Sequence, residues 1–166
     1  MKNRSPFSIL LMFFVALPLG CDSGSEPLKP DEQFVKILLQ SGFRDEVDTF
    51  SGTLTKDLVV DGIITIPFWL TKAEQEAILS ELTLENFFNL PDTLPAMQGV
   101  TISPNPSPDL LRVEVGGELK TVLWSYPLDP VNQNSQTIIR LTQVIKNVIE
   151  SKEEFKRLPP AKGGYH

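Results

Sequence analysis

One cysteine, one histidine and a shortage of basic residues close off most of the chemistry that a chain of 166 residues could carry. With Cys21 alone, no intrachain disulfide can form, and the paired C-x-x-C spacing of structural zinc is missing. The histidine is His166, behind Gly163-Gly164-Tyr165, where no neighbour would hold it at the hydrogen-bond distance a catalytic base needs. No G-x-S-x-G, H-E-x-x-H or Walker loop occurs. The residues therefore point to no catalytic group, no metal and no cofactor. Lys and Arg number 15 against 21 Asp and Glu, without a basic cluster, which argues against a nucleic-acid partner. No internal repeat of 20–50 residues is found.

Long apolar runs are also scarce, and the one present stands at the start. Lys2 and Arg4 precede Phe7 to Leu19 (FSILLMFFVALPL), and Gly20-Cys21 follows. A positive start, an apolar stretch of about 7–15 residues and a small residue beside the cut predict a secretory signal over residues 1–20. The run is shorter than the ~20 residues of a spanning helix, and Pro18 disfavours its continuation. Asp22 to Glu32 (DSGSEPLKPDE) is rich in Ser, Gly, Pro and charge, the composition of a flexible tether. Loss of the first 20 residues would leave 146, with 13 basic against 21 acidic side chains, a net of −8.

Leu19-Gly20-Cys21 resembles the lipobox of bacterial lipoproteins, with Pro18 where that family usually has leucine. The resemblance implies diacylglyceryl transfer to the Cys21 thiol, cleavage before Cys21 by signal peptidase II, and a membrane-anchored protein facing outside the cytoplasm. Acyl chains hold a protein through ~0.8 kcal/mol per buried methylene, and two or more chains hold stably.

Residues 33–160 read as one domain, with 161–166 a frayed tail. Phe34 to Leu39 is a first strand or a helical turn. Thr49–Val60 and Ile63–Trp69 flank Asp61-Gly62 as a hairpin, with Pro67 placing its second strand at an edge. Thr71 with Glu74 is a capping box that opens a helix to about Leu82. Leu111, Val113 and Val115 alternate ahead of Gly116-Gly117, and Leu119 to Trp124 returns as a second hairpin. A second helix spans about Ser135 to Ser151, with Ile138, Leu141, Ile145 and Val148 on one face. The expected fold is α+β: two β-hairpins forming an antiparallel sheet with two helices packed on one face.

Candidate binding features are few. The acidic stretch Asp45-Glu46-Val47-Asp48 lacks the spacing of a calcium loop and is expected to be a solvated turn, with Asp57 and Asp61 pointing to solvent. Trp69 and Trp124 end strands and could line a shared groove. Trp124 is the better candidate for the core and Trp69 for exposure. Pro104, Pro106 and Pro108 make "SPNPSPD" a rigid loop that can bind at low entropic cost.

The words "DTFSGTLTKD", "LTKAEQEAI", "NFFNLP", "LKTVLW" and "EEFKRLPPAKGGY" resemble a domain of bacterial lipoproteins that has no assigned activity. The order hairpin, helix, hairpin, helix is also similar to emfourin-type inhibitors of metallopeptidases, whose usual Arg-Ser-Gly-Gly-Phe opening is partly echoed by Gln40-Ser41-Gly42-Phe43. The expectation is a lipoprotein that binds an envelope or secreted protein. An inhibitor of a secreted protease and a carboxylate-dependent hydrolase are the alternatives.

Overall fold

Alternation of apolar and polar residues from Val35 onward decides the centre of the molecule. Val35, Ile37 and Leu39 are buried while Lys36, Leu38 and Gln40 between them are half-buried, so the segment is a strand with one face in a core. The computed structural model describes residues 26–100 and 107–165. It is an α+β fold with one seven-stranded, mostly antiparallel sheet and three helices.

The strands are β1 (Val35–Ser41), β2 (Asp45–Asp48), β3 (Thr53–Asp57), β4 (Ile63–Pro67), β5 (Thr93–Leu94), β6 (Asp109–Val115) and β7 (Glu118–Trp124). The helices are α1 (Lys72–Leu84), α2 (Gln133–Ser151) and the short α3 (Glu153–Lys156). Across the sheet the order is β4-β3-β2-β1-β6-β7-β5, and only β5 runs parallel to its neighbour. β1 is therefore central, between β2 and β6, in register Leu38↔Asp48 and Leu38↔Arg112.

The first half of the chain is a four-strand meander rather than one hairpin. The acidic stretch Asp45–Asp48 is not a solvated turn but β2, bonded on both sides. Its carboxylates serve the local backbone. Asp48 Oδ1 accepts the N–H groups of Phe50 and Ser51, and Asp45 Oδ1 accepts that of Asp57 at 2.8 Å. Beyond Asp48 the Thr49 hydroxyl accepts the Ile37 N–H at 2.8 Å, extending the ladder where the strand has ended. Five residues, not two, join β3 to β4, because Leu58 already bonds back to Gly62. Between β6 and β7 the two-residue turn holds: Gly116 and Gly117 both have positive φ, as a tight twisted hairpin requires.

Helix starts follow their caps. Thr71 Oγ1 accepts the Glu74 N–H, and Glu74 Oε2 accepts the Thr71 N–H at 2.7 Å. For α2, Asn132 Oδ1 accepts the Ser135 N–H. Ile78 and Leu82 of α1, with Ile138, Leu141, Ile145 and Ile149 of α2, belong to one buried cluster with Val35, Ile37, Leu39, Leu111, Val113 and Val122 of the sheet. Each such side chain contributes ~1.5–3 kcal/mol by leaving water. Glu85, just past α1, ties that helix to α2 by accepting from the Arg140 guanidinium and, at 2.7 Å, from the Thr137 hydroxyl. The Arg140 contact holds the Glu85 carboxyl below its ordinary value.

Both ends of the described domain are tied down. Residues 27–32, read above as tether, dock on the fold: Pro27 bridges to Thr71, and the Leu28 N–H donates to the Leu70 carbonyl at 3.2 Å. Buried Gln75 fixes the entry to β1, since its Oε1 accepts the N–H groups of Phe34 and Val35 at 2.8 and 2.9 Å. The stretch after Pro160, read above as a tail, returns to the sheet. Lys162 bridges to Val59, and Tyr165 stacks on Phe43 while its hydroxyl donates to Asp57. Asp57 is consequently buried, not solvent-facing, and this hydrogen bond holds its carboxyl below the ordinary value. Asp61 is exposed and pairs with Lys162 at 3.0 Å.

Candidate functional site

The two ends of β1 differ in kind. At the Val35 end lie the docked N-terminal segment, Gln75 and the Gly116-Gly117 turn. At the Ser41 end the chain folds back at Gly42, and three hollows open around Ser41.

The largest hollow at this end is about 340 Å³. Its floor is Leu39 and Trp124, one wall is α2 with Ile139, Thr142 and Lys146, and Tyr126 stands at the mouth, 61% exposed. Register brings the parts together. Asp109 opens β6 and lies opposite Trp124, the last residue of β7, while Gln40↔Leu110 sets Asp109 beside Ser41. The Gly42 N–H donates to Asp109 Oδ1 at 2.9 Å, which pins the turn to the start of β6. Lys146 reaches across from α2, its ammonium donating to the Ser41 hydroxyl at 3.4 Å. Past Lys146 a second hollow of about 200 Å³ is lined by Leu54, Lys56, Glu150 and Phe155. On the other side of Asp109 a third, about 190 Å³, lies between Phe43, Arg44 and Pro108.

Burial pushes the Asp109 carboxyl above its ordinary value. The Gly42 N–H, the Lys146 charge and the Trp124 indole act against that shift, in that order. The result is an apolar cleft with a few converging polar groups: the Lys146 amine, the Ser41 hydroxyl and the buried Asp109 carboxyl. That composition is typical of a ligand site. Ser41 and Lys146 touch, the Lys146 charge acts on the Asp109 carboxyl, and Asp45 and Glu150 line the same second hollow as Lys146.

The residues singled out from sequence do not form one site. Trp124 is 5% exposed and forms part of the core under the cleft. Trp69, just past β4, belongs to the opposite end of the sheet and is half-buried, its ring lying over Gly52. No shared groove joins the two indoles: β4 is one edge of the sheet, and β7 is separated from the other edge only by β5. Pro108 is exposed and borders the hollow next to Asp109. Pro104, Pro106 and Cys21 lie outside the described residues. Tyr126 and Lys146 had no motif to announce them, and Ser41 and Asp109 entered only as members of the Gln40–Phe43 echo and the proline loop. The four stand far apart in the chain and meet only through the β1–β6 register and the path of α2. Among the described residues no group of three His, Cys, Asp or Glu could hold a metal ion, and no helix is long and apolar enough to cross a membrane.

No protein-family model, curated protein or solved structure matches this chain.

Proposed function

We propose that this protein is a lipid-anchored, extracytoplasmic binding domain, held at the membrane through Cys21 and presenting the Ser41–Asp109–Lys146 cleft to an envelope or secreted protein. In this reading α1 and α2 together form the second layer over the buried sheet face, and α2 supplies one wall of the cleft. The supporting observation is the polarity of β1. The N-terminal segment joins the fold at the Val35 end, and the cleft opens at the Ser41 end, about 20 Å along the strand at ~3.3 Å per residue. An anchor placed before Pro27 leaves the cleft facing away from its point of attachment.

Two linked measurements test this. Metabolic labelling with a palmitate analogue should mark the wild type and not Cys21→Ala, and the variant should leave the membrane fraction. A photocrosslinking residue at Tyr126 should then capture a defined partner in intact cells, while the same residue at Leu119, near the other end of the sheet, should not. Equal labelling of both forms would remove the anchor, and equal crosslinking from both positions would remove the cleft.

A further inference from the structure

A hollow of about 500 Å³ lies at the β4 edge of the sheet and shares no lining residue with the Ser41 cleft. Pro27, Pro67, Phe68, Trp69 and Leu158 give it an apolar lining, and Lys152, Arg157 and Glu154 supply the charges. Lys152 pairs with Glu74 at 2.8 Å and lies over the Phe68 ring. Trp69 covers Gly52 and is only half-buried there, so part of the indole is left to the groove.

Pro27 both lines this groove and is fixed to the fold through its bridge to Thr71. Only Asp22 to Glu26 separate it from Cys21. At ~3.3–3.6 Å per residue that stretch spans at most about 20 Å. A diacylated Cys21 sits at headgroup level by construction, because its chains occupy the hydrocarbon. The tether is therefore too short to carry the groove far from the bilayer surface, and it leaves from the groove's own rim.

We infer that the Trp69 groove is a membrane-seating surface: Trp69 and Leu158 rest in the headgroup zone of the phospholipid bilayer that holds Cys21, with Arg157 against lipid phosphate. Tryptophan suits that zone because its ring is apolar and its N–H is polar, and a guanidinium matches phosphate geometry. This inference rests on the lipid attachment proposed above. It adds that the domain is seated in one orientation rather than swinging freely, with the Ser41 cleft pointing away from the bilayer.

The test uses the processed, lipid-bearing chain reconstituted into phosphatidylethanolamine–phosphatidylglycerol vesicles, with and without brominated acyl chains. Flotation is read first. If the protein does not float, or floats equally as Cys21→Ala, the anchor reading fails and this inference falls with it. If it floats, brominated lipid should quench the tryptophan emission of the wild type and of Trp124→Phe, and this quenching should be lost in Trp69→Phe. Should Trp124→Phe not fold, the difference between wild type and Trp69→Phe reads the same quantity. A floated protein whose emission is indifferent to brominated lipid, or whose quenching survives Trp69→Phe, overturns the seating while leaving the anchor intact.

Discussion

Gly52 is the position where one methyl group has the largest calculable effect. Its φ is +72°, and a Cβ built there would lie 1.5 Å from Trp69 Cη2 and 2.0 Å from Cζ3. Gly52→Ala therefore acts twice. The left-handed backbone costs about 1–2 kcal/mol for a residue with a Cβ. The indole must also lift off, uncovering on the order of 50–80 Å² of apolar surface, or ~1–2 kcal/mol at 25 cal/mol/Å². The sum is ~2–4 kcal/mol, a fall of about 8–15 °C in Tm for a domain of this size. Urea and thermal unfolding of the purified domain would measure it. In a Trp69→Ala background the ring is gone, so Gly52→Ala should cost only the backbone part. The two substitutions should thus couple by about 1–2 kcal/mol in a double-mutant cycle. Equal costs in both backgrounds would refute the stacking argument, and a cost near zero in the wild type would refute both parts.

Two further outcomes concern acid. Burial raises the Asp109 pKa, so its neutral form suits the fold and its charge opposes folding at neutral pH. Asp109→Asn keeps an acceptor for the Gly42 N–H and should raise stability at neutral pH. The gain should shrink as pH falls through the folded-state value, where the wild type is itself protonated; a pH-independent gain, or a loss at neutral pH, would contradict this. Asp57 has the opposite sign: the Tyr165 hydroxyl holds its pKa below 3.8, so its contribution is present above that value and is lost as pH falls through the lower folded-state value. Tyr165→Phe should accordingly lower stability by a constant amount at neutral and mildly acidic pH, with the gap to wild type closing in stronger acid. A gap that persists there would show that the ring, and not the hydrogen bond, secures the tail.

What the sequence revealed about the fold was local. The Thr71–Glu74 box, the Gly116-Gly117 turn and the apolar stripe of α2 each rest on residues within a few positions of one another; the first two stand where their patterns put them, and the stripe runs through Ile138, Leu141 and Ile145 as expected but ends on buried Ile149, with Val148 half-buried. β2 was hidden because Val47 is the one apolar residue in Asp45–Asp48, and its carboxylates are used by backbone N–H groups rather than by water. The cleft was hidden for a different reason. Ser41, Asp109 and Lys146 are ordinary residues in their own neighbourhoods, and only long-range register makes them neighbours. The Tyr165–Asp57 contact likewise has no local precursor, so residues past Pro160 carried no sign that they would close the far corner of the sheet.

The placement of β1 beside β6 has a consequence for biogenesis. The Val35 to Gln40 side of β1 that faces β6 is completed by residues 110–115, which leave the ribosome, and any export channel, long after it. In the interval the four-strand meander β1 to β4 can close on itself, but its best apolar strand remains at an open edge. An edge of that kind invites pairing with other chains. Delivery one residue at a time, N-terminus first, thus creates a window in which a holding chaperone has something definite to cover, and which ends when β6 arrives.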